Sequence, residues 1–109
     1  MYVYLMTNQR NTVLYVGVTN DLVRRVAEHR AGKAGSFTTR YRVTKLVCYE
    51  TFGDPYRAIA REKQLKSGSR QQKLDLIHAA NPSWQDLYPS LLPDAEPPAL
   101  AADPQPATQ

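Results

Sequence analysis

The sequence predicts a small α+β domain, within the broad α/β class, in which a three-stranded antiparallel sheet is flanked by helices in the order β-β-α-β-α-α. Three observations predict this fold. Two runs rich in aromatic and β-branched residues flank a short polar segment, which is typical of a hairpin. Capping residues and helix breakers bound three later segments. One further β-rich run lies between the first two of these helices.

The predicted hairpin comprises residues 2–7 and 12–18, joined by the polar turn 8–11. Valine, threonine and tyrosine favour strands because their side chains pack well on a pleated surface. A helix follows: Thr19 or Asn20 can cap it, Asp21 complements its positive N-terminal dipole, and Gly32 ends it. We therefore expect two antiparallel strands and then a helix of about three turns.

A loop, a strand and two helices are predicted next. Residues 32–42 hold two glycines and several cations, which indicates a mobile cationic loop. A third strand is predicted at 43–50. Asp54 and Pro55 begin the second helix, which runs to about Lys66 before residues 67–69 break it. A third helix is predicted at 70–80, because the residue before Pro82 is pushed out of the α region.

The end of the chain differs in composition from the rest. Trp84, Leu87 and Tyr88 are expected to fold back over the helices as an apolar clasp. From Pro89 onward, prolines, alanines and acids offer too little apolar area to offset the entropy of ordering. We therefore predict one domain over residues 1–88 and a disordered Pro/Ala-rich tail over residues 89–109.

Charge and cysteine content narrow the function classes. The 109 residues carry a formal net charge of +4, with a pI near 9.4, which favours a polyanionic partner. Cys48 is the only cysteine, which excludes an internal disulfide and a cysteine-based zinc cage. No segment approaches the length of a membrane span. We expect a cytoplasmic protein that does not bind membranes.

Strand alternation groups several aromatic side chains. Tyr2 and Tyr4 share one face of the first strand, Tyr15 and Gly17 share one face of the second, and across a hairpin these faces can coincide. Packing of strand tyrosines against a helix is the simpler interpretation. Gly17 argues for a site, because a glycine at the end of a strand often marks the close approach of another group.

Arg25 and His29 lie four residues apart, on one stripe of the first helix. A solvated basic face would explain both, as it explains Arg24. However, Leu22 and Val26 flank Arg25 and turn its stripe toward the sheet, where a guanidinium needs an anion or a cleft. A scissile phosphate could bind such a guanidinium in bidentate fashion.

Two polar or reactive residues are predicted to face the core. Glu62 lies three residues from both Ile59 and Leu65, on the predicted core-facing stripe, so it could pair with an arginine or hold a metal ion. A single carboxylate suits one Mg²⁺ that keeps several waters, and does not suit a two-metal site. Cys48 alternates with Leu46 on one face of the third strand, and we interpret it as a small buried hydrophobe.

Together these residues resemble the core of the GIY-YIG nuclease family. Tyr2-Val3-Tyr4 and Tyr15-Val16-Gly17 stand where its two signature motifs stand; Tyr15 is eleven positions after Tyr4, and Arg25 is ten beyond Tyr15. Glu62, within Arg61-Glu62-Lys63-Gln64-Leu65-Lys66, matches the family's metal-binding glutamate. The match runs from Tyr2 to about Tyr88 and is closest to small stand-alone members related to the N-terminal nuclease domain of an excision-repair protein. The sequence departs from the family pattern at two places. Its first motif is Tyr-Val-Tyr instead of Gly-Ile-Tyr, and it has Val18 where the repair nucleases carry a lysine.

The resemblance implies a GIY-YIG-like fold and a metal-dependent endonuclease that hydrolyses DNA with one Mg²⁺ or Mn²⁺ ion. By the same resemblance, Glu62 is expected to hold the metal and Arg25 to stabilise the transition state. The Tyr4 phenol accepts the proton of the attacking water, assisted by His29 or Tyr15, with Arg25 and the metal favouring its phenolate. Residues that we predict to contact nucleic acid are Gly17, Arg24, Arg40, Lys63, Lys66 and Asn81.

The expected partner is DNA, including nicked or branched DNA. We expect the protein to be a monomer and to act in DNA repair. A nucleic-acid-binding module that kept the fold but cleaves weakly or not at all is the alternative, and the altered first motif and Val18 fit it. Glu62 favours the enzyme, because a binding module has no need for a carboxylate that repels phosphate.

Overall fold

The computed structural model describes residues 1–93 and contains the predicted sheet. Strands β1 (Tyr2–Thr7), β2 (Leu14–Thr19) and β3 (Lys45–Thr51) pair antiparallel in the order β2-β1-β3. The central strand β1 is buried from its second residue onward because it has neighbours at both edges and packing on both faces. The predicted three-stranded antiparallel fold is confirmed.

Two asparagines build the turn between β1 and β2. Asn8 Oδ1 accepts hydrogen bonds from the backbone N–H groups of Thr12 (2.8 Å) and Val13 (3.1 Å). Asn11 has a φ of 58°, in the left-handed region that asparagine tolerates better than most residues. The Asn8 side chain thus takes the amides that would have extended the ladder, so β2 begins at Leu14 and not at residue 12 as predicted.

The helices are α1 (Leu22–Arg30), α2 (Ser36–Arg40), α3 (Pro55–Ser67), α4 (Arg70–Ala80) and α5 (Tyr88–Leu91). Asp54 caps α3 as predicted, accepting a hydrogen bond from the Arg57 N–H at 2.9 Å. The predicted cap of α1 was wrong. Asp21, and not Thr19 or Asn20, accepts from the Arg24 N–H at 3.1 Å.

Helix α2 replaces the predicted mobile loop. Its Thr38 is buried, and the Thr38 carbonyl accepts a hydrogen bond from the Val43 N–H at 2.9 Å, which ties the helix to the chain just before β3. Gly35 precedes α2 with a φ of 134°, a conformation that L side chains rarely adopt. Glycines in this segment therefore mark the bends that bring a short helix onto the sheet.

Apolar clusters lie on both faces of the sheet. The first cluster packs α3 and α4 against one face, through Val3, Leu5, Val16, Val47, Cys48, Ala58, Leu65 and Ile77. The second cluster packs α1 against the other face, through Tyr4, Met6, Leu22, Val26, Val43 and Leu46. A bulge in β3 pairs Cys48 with Leu5 but Leu46 with Met6. Cys48 is a buried hydrophobe as predicted, but the prediction that it shares a face with Leu46 was wrong.

The predicted clasp divides between the two faces. Trp84 packs on the first cluster, whereas Leu87 and Tyr88 pack on the second, where the Leu87 N–H donates to the Leu46 carbonyl at 2.8 Å. Helix α5 continues the fold past Tyr88, and its Leu91 also packs on the second cluster. Residues 89–91 are thus helical where a tail was predicted, and the rest of that prediction, from residue 94 to 109, lies outside the described residues. Within residues 1–93, no helix is long and apolar enough to cross a membrane.

Candidate active site

A buried hydrogen bond joins the first strand to the first helix. Tyr4 Oη and His29 Nε2 lie 3.0 Å apart, and both residues are about 1% exposed. Tyr15 completes a group of three rings, with its centroid 6.3 Å from that of Tyr4 and 5.2 Å from that of His29. The antiparallel register, in which Tyr4 faces Gly17 and Met6 faces Tyr15, places the tyrosines on one face as the alternation predicted.

Gly17 makes room for the Tyr4 ring. A Cβ atom built on Gly17 would lie 2.4 Å from both Cζ and Oη of Tyr4, closer than real Cβ contacts approach. Gly17 is itself buried, so the prediction that it contacts nucleic acid does not fit the structure. The group that approaches Gly17 closely, as its position at the end of a strand predicted, is the side chain of the catalytic candidate Tyr4.

Arg25 borders the three rings but already has anionic and carbonyl partners. Its Nη1 donates to Glu28 Oε1 at 3.0 Å and its Nη2 to the Ala34 carbonyl at 3.2 Å, and its side chain is 30% exposed. The nearby Tyr4 hydroxyl and the Glu28 carboxylate both raise the pKa of Arg25. Glu28 was missed by the sequence reasoning, although its position three residues after Arg25 is the usual spacing of a helical ion pair.

Burial shifts the pKa of both members of the Tyr4–His29 pair toward the neutral forms. It raises the pKa of Tyr4 to about 12, which outweighs the opposite effect of the Arg25 guanidinium. It also lowers the pKa of His29 to about 4, in the same direction as repulsion from Arg25. Arg25 favours the Tyr4 phenolate, as predicted, but burial has the larger effect. Without a metal, roughly one molecule in a hundred thousand would be ionised at pH 7.

Glu62 lies on α3, which packs on the first-cluster face of the sheet. Its side chain is 12% exposed and forms an ion pair with Lys66 one turn along the helix. The buried stripe of α3 runs through Ala58 and Leu65, whereas Ile59, which was predicted to lie on the buried stripe, is 40% exposed. The predicted stripe was therefore misplaced at Ile59, although the Glu62 side chain does turn inward. The structure thus gathers Tyr4, Tyr15, Arg25 and His29, whereas Glu62 lies on a helix that packs on the other face of the sheet.

The donor set fits one hard cation. Among residues 1–93, no three His, Cys, Asp or Glu side chains lie close enough to enclose a metal ion. An inward-turned carboxylate whose present partner is an ammonium group can hold a Mg²⁺ ion that takes its remaining ligands from water and phosphate. A site with two metals does not fit this part of the chain.

The other predicted nucleic-acid contacts separate into exposed and buried residues. Arg24, Arg40 and Lys63 are exposed, whereas Lys66 is engaged by Glu62. Asn81 is buried: its amide donates to the carbonyls of Val47 (3.0 Å) and Gln85 (2.8 Å) and accepts from the Gln85 N–H. Because every polar atom of this side chain is used internally, Asn81 does not fit a nucleic-acid contact.

Two exposed aromatic residues on and beside α2 extend the ring group to the surface. Phe37 stacks on Tyr15, with centroids 6.4 Å apart and planes inclined by 28°, and Tyr41 lies 4.9 Å from Phe37. Arg40 lies over the Tyr41 ring at 5.4 Å. Neither aromatic residue was predicted to belong to the site, because residues 32–42 were predicted to form a mobile cationic loop.

The fold and the ring group at its centre define a GIY-YIG domain, and the comparison with known proteins agrees. Residues 1–75 match the family model described as the GIY-YIG catalytic domain. The chain belongs to the GIY-YIG family, as the resemblance implied, and that family places it in an endonuclease superfamily.

Its relatives are small stand-alone GIY-YIG proteins. The chain is 41% identical over 76 residues to a UPF0213 protein of Staphylococcus haemolyticus, covering 70% of this chain and 92% of the relative. It is 37% identical over 75 residues to a UPF0213 protein of Haloquadratum walsbyi, covering 69% and 83%. The solution NMR structure of the UPF0213 protein BH0048 from Bacillus halodurans superposes with a TM-score of 0.50 at 27% identity, covering 78% of this chain and 89% of that one.

Proposed function

We propose that the protein is a cytoplasmic, monomeric endonuclease that hydrolyses DNA phosphodiester bonds with one divalent cation. One observation carries the proposal: the buried hydrogen bond between Tyr4 Oη and His29 Nε2, beside the Arg25 guanidinium. A neutral imidazole, kept unprotonated by burial, is a proton acceptor at neutral pH. The phenol is then a relay between water and the imidazole.

The proton path follows from the pair. Water gives a proton to Tyr4 Oη while the phenol proton passes to His29 Nε2, and the resulting hydroxide attacks phosphorus. The bond from phosphorus to the 3′ oxygen breaks, and that oxygen takes a proton from solvent. This relay replaces the phenolate base of the sequence-based expectation, because a neutral Tyr4 needs no ionised form before the reaction.

Charge stabilisation falls to Arg25 and Glu62. Arg25 uses one N–H on Glu28 and one on Ala34, so other N–H groups of its fork remain for phosphate oxygens. Glu62 would hold a divalent cation, which when bound supplies positive charge to the leaving 3′ oxygen. Tyr15 packs against His29 and limits its rotation.

A non-catalytic nucleic-acid-binding module is the second candidate. One observation favours it: the two charged residues assigned to catalysis already have partners, Arg25 with Glu28 and Glu62 with Lys66. Val18, where repair nucleases carry a lysine, points the same way. Under this alternative, exposed basic side chains bind DNA, and the rings of Tyr4, Tyr15 and His29 only pack together in the core.

Cleavage of a panel of plain, nicked and branched DNA, with and without Mg²⁺, separates the candidates. We expect Glu62→Ala to remove cleavage and leave DNA binding intact or stronger, since a carboxylate that repels phosphate is lost. Strong cleavage in excess chelator, or a fully active Glu62→Ala, contradicts the proposal.

Arginine geometry gives the sharper comparison. Arg25→Lys keeps the charge but loses the planar fork, so turnover should fall by about a hundredfold to a thousandfold while DNA affinity is largely kept. Arg24→Lys is the matched control, because Arg24 is exposed on the same helix. If the two variants behave alike in cleavage and binding, the module is the better conclusion.

A further inference from the structure

A cavity of about 540 Å³ lies on the fold beside the active-site candidate. It is open to solvent and bordered by the turn between β1 and β2, the C-terminal end of α1, and α2 with the residues that follow it. His29 forms part of its wall, while Tyr4 and Tyr15 do not line it. The cavity is thus distinct from the ring group, with which it shares one imidazole.

The lining of this cavity is suited to an anion. Its charged lining residues are Arg10, Arg30 and Arg42, and none of the described residues that line it is acidic. Arg30 pairs with Asp86 outside the lining, whereas within residues 1–93 neither Arg10 nor Arg42 pairs with a carboxylate. The hydroxyl groups of Thr38, Thr39 and Thr44 also line the cavity and can donate to anionic oxygens.

The shared imidazole lacks a hydrogen-bond partner on one side. Nε2 of His29 is bonded to Tyr4, but Nδ1 is buried and has no partner among the described residues. Buried polar atoms in native proteins nearly always have a partner, so an unpaired one calls for an explanation. A ligand that enters the cavity lined by His29 and displaces the atoms that cover Nδ1 would supply the missing acceptor.

We propose that this cavity binds a phosphate group, held by Arg10, Arg42 and the threonine hydroxyls, with His29 Nδ1–H donating to a phosphate oxygen. Two sources share this chemistry, a free phosphate monoester and a backbone phosphate of bound DNA. An anion at Nδ1 fixes the proton there and leaves Nε2 as the acceptor. The ligand then selects the orientation in which the Tyr4 O–H donates to His29. The proposed relay requires this orientation, so this consequence rests on the proposed function.

The test measures binding and the state of His29, so it does not depend on cleavage. The parent protein is titrated at pH 7 and constant ionic strength with inorganic phosphate, thymidine 5′-monophosphate and a short oligonucleotide. Long-range ¹H–¹⁵N NMR reports both ring nitrogens of His29. We expect saturable binding of a probe, with the Nδ1 resonance moving to that of a protonated, hydrogen-bonded nitrogen.

Arginine variants locate the site. The double variant Arg10→Gln/Arg42→Gln should weaken phosphate binding by roughly tenfold or more, the loss expected when charge-assisted hydrogen bonds are removed. Arg57→Gln, exposed on α3 and outside the lining, is the matched control and should bind within about twofold of the parent. Binding of the free phosphates identifies a monoester site, and binding of the oligonucleotide alone identifies a backbone-phosphate site.

Three outcomes overturn the proposal. These are the absence of saturable binding by any of the three probes, equal weakening in the double variant and the control, and binding that leaves the His29 nitrogens unchanged. Loss of cleavage in the Glu62→Ala protein, or no cleavage at all, bears only on the proposed function, because none of these readouts uses turnover.

Discussion

Replacing Gly17 by alanine tests whether the ring group is as tightly built as its geometry indicates. The added Cβ would lie 2.4 Å from Cζ and Oη of Tyr4 and 2.8 Å from its Cε1. The ring cannot move aside freely, because it is about 1% exposed, packs in the second cluster and is hydrogen-bonded to His29. Either the backbone of β2 shifts or the phenol leaves its place.

The expected loss of stability follows from these contacts. Overpacking a well-filled core costs about 1–3 kcal/mol. If the phenol moves, the bond to His29 is also lost, at about 0.5–1.5 kcal/mol. The overpacking cost and the hydrogen-bond cost together span a slightly wider range, and we expect Gly17→Ala to lower the free energy of unfolding by about 2–4 kcal/mol. Cleavage should fall with it, because the relay needs the 3.0 Å contact.

Urea denaturation at pH 7 measures the effect, and Gly53→Ala provides the matched control. A Cβ at Gly53 meets no atom within 4 Å, so that variant should stay within about 0.5 kcal/mol of the parent. If Gly17→Ala is as stable as Gly53→Ala and equally active, the Tyr4 ring is not confined by Gly17 and the packing argument is refuted.

Three further predictions follow from burial, hydrogen bonding and the chain end. Folding lowers the pKa of His29 from 6.5 to about 4, so only the unfolded state gains a proton as the pH falls through this window. The free energy of unfolding should therefore fall by up to roughly 3 kcal/mol between pH 6.5 and 4. Urea denaturation at several pH values measures this fall, which should be smaller in His29→Gln. Asn81→Ala should cost about 1–3 kcal/mol in the same assay, since it leaves the buried Val47 carbonyl unpaired, and a neutral effect would contradict the assigned bonds. Deleting residues 94–109 should change stability by less than about 0.5 kcal/mol, whereas deleting residues 89–109 removes the packed Leu91 and should lower the melting temperature measurably.

Local signals predicted most of the fold because each depends on neighbouring residues. The cap Asp54 and the break at residues 67–69 separate α3 from α4 regardless of what the helices pack against. The alternation of Tyr2 and Tyr4 likewise fixed the face of β1. Such features require only backbone geometry, so the sequence contains all that is needed to find them.

Features that depend on distant contacts were missed. Helix α2 is held by the hydrogen bond from Val43 to Thr38 and by the stacking of Phe37 on Tyr15, and neither contact is visible in a glycine-containing segment taken alone. The bulge that separates Cys48 from Leu46 depends on pairing with β1. A single extra residue in a strand reverses the alternation beyond it, and no local pattern signalled that residue here.

The grouping of Tyr4, Tyr15, Arg25 and His29 was predicted, but the place of Glu62 and the electrostatics of the group were not. Helical spacing placed Arg25 beside His29, but the sequence could not show that burial would exceed the effect of Arg25 on the Tyr4 pKa. How deeply a side chain is buried depends on α1 packing over the sheet, which is a property of the whole domain. The role that we propose for Tyr4 therefore changes from base to relay only when the structure is considered.

The cost of the Tyr4–His29 pair is the strongest physical argument for catalysis over packing. Tyr4 belongs to the second cluster and His29 is equally buried beside it, so the polar atoms of both lose water, and Nδ1 of His29 regains no partner among the described residues. An unpaired buried polar atom costs about 1–3 kcal/mol, while apolar residues of similar size would fill the same space without that cost. Gly17 adds a further loss, because a glycine in a strand sacrifices packing solely to admit the Tyr4 ring. A binding module gains nothing from either feature, whereas a proton relay requires a phenol held against a neutral imidazole, away from bulk water.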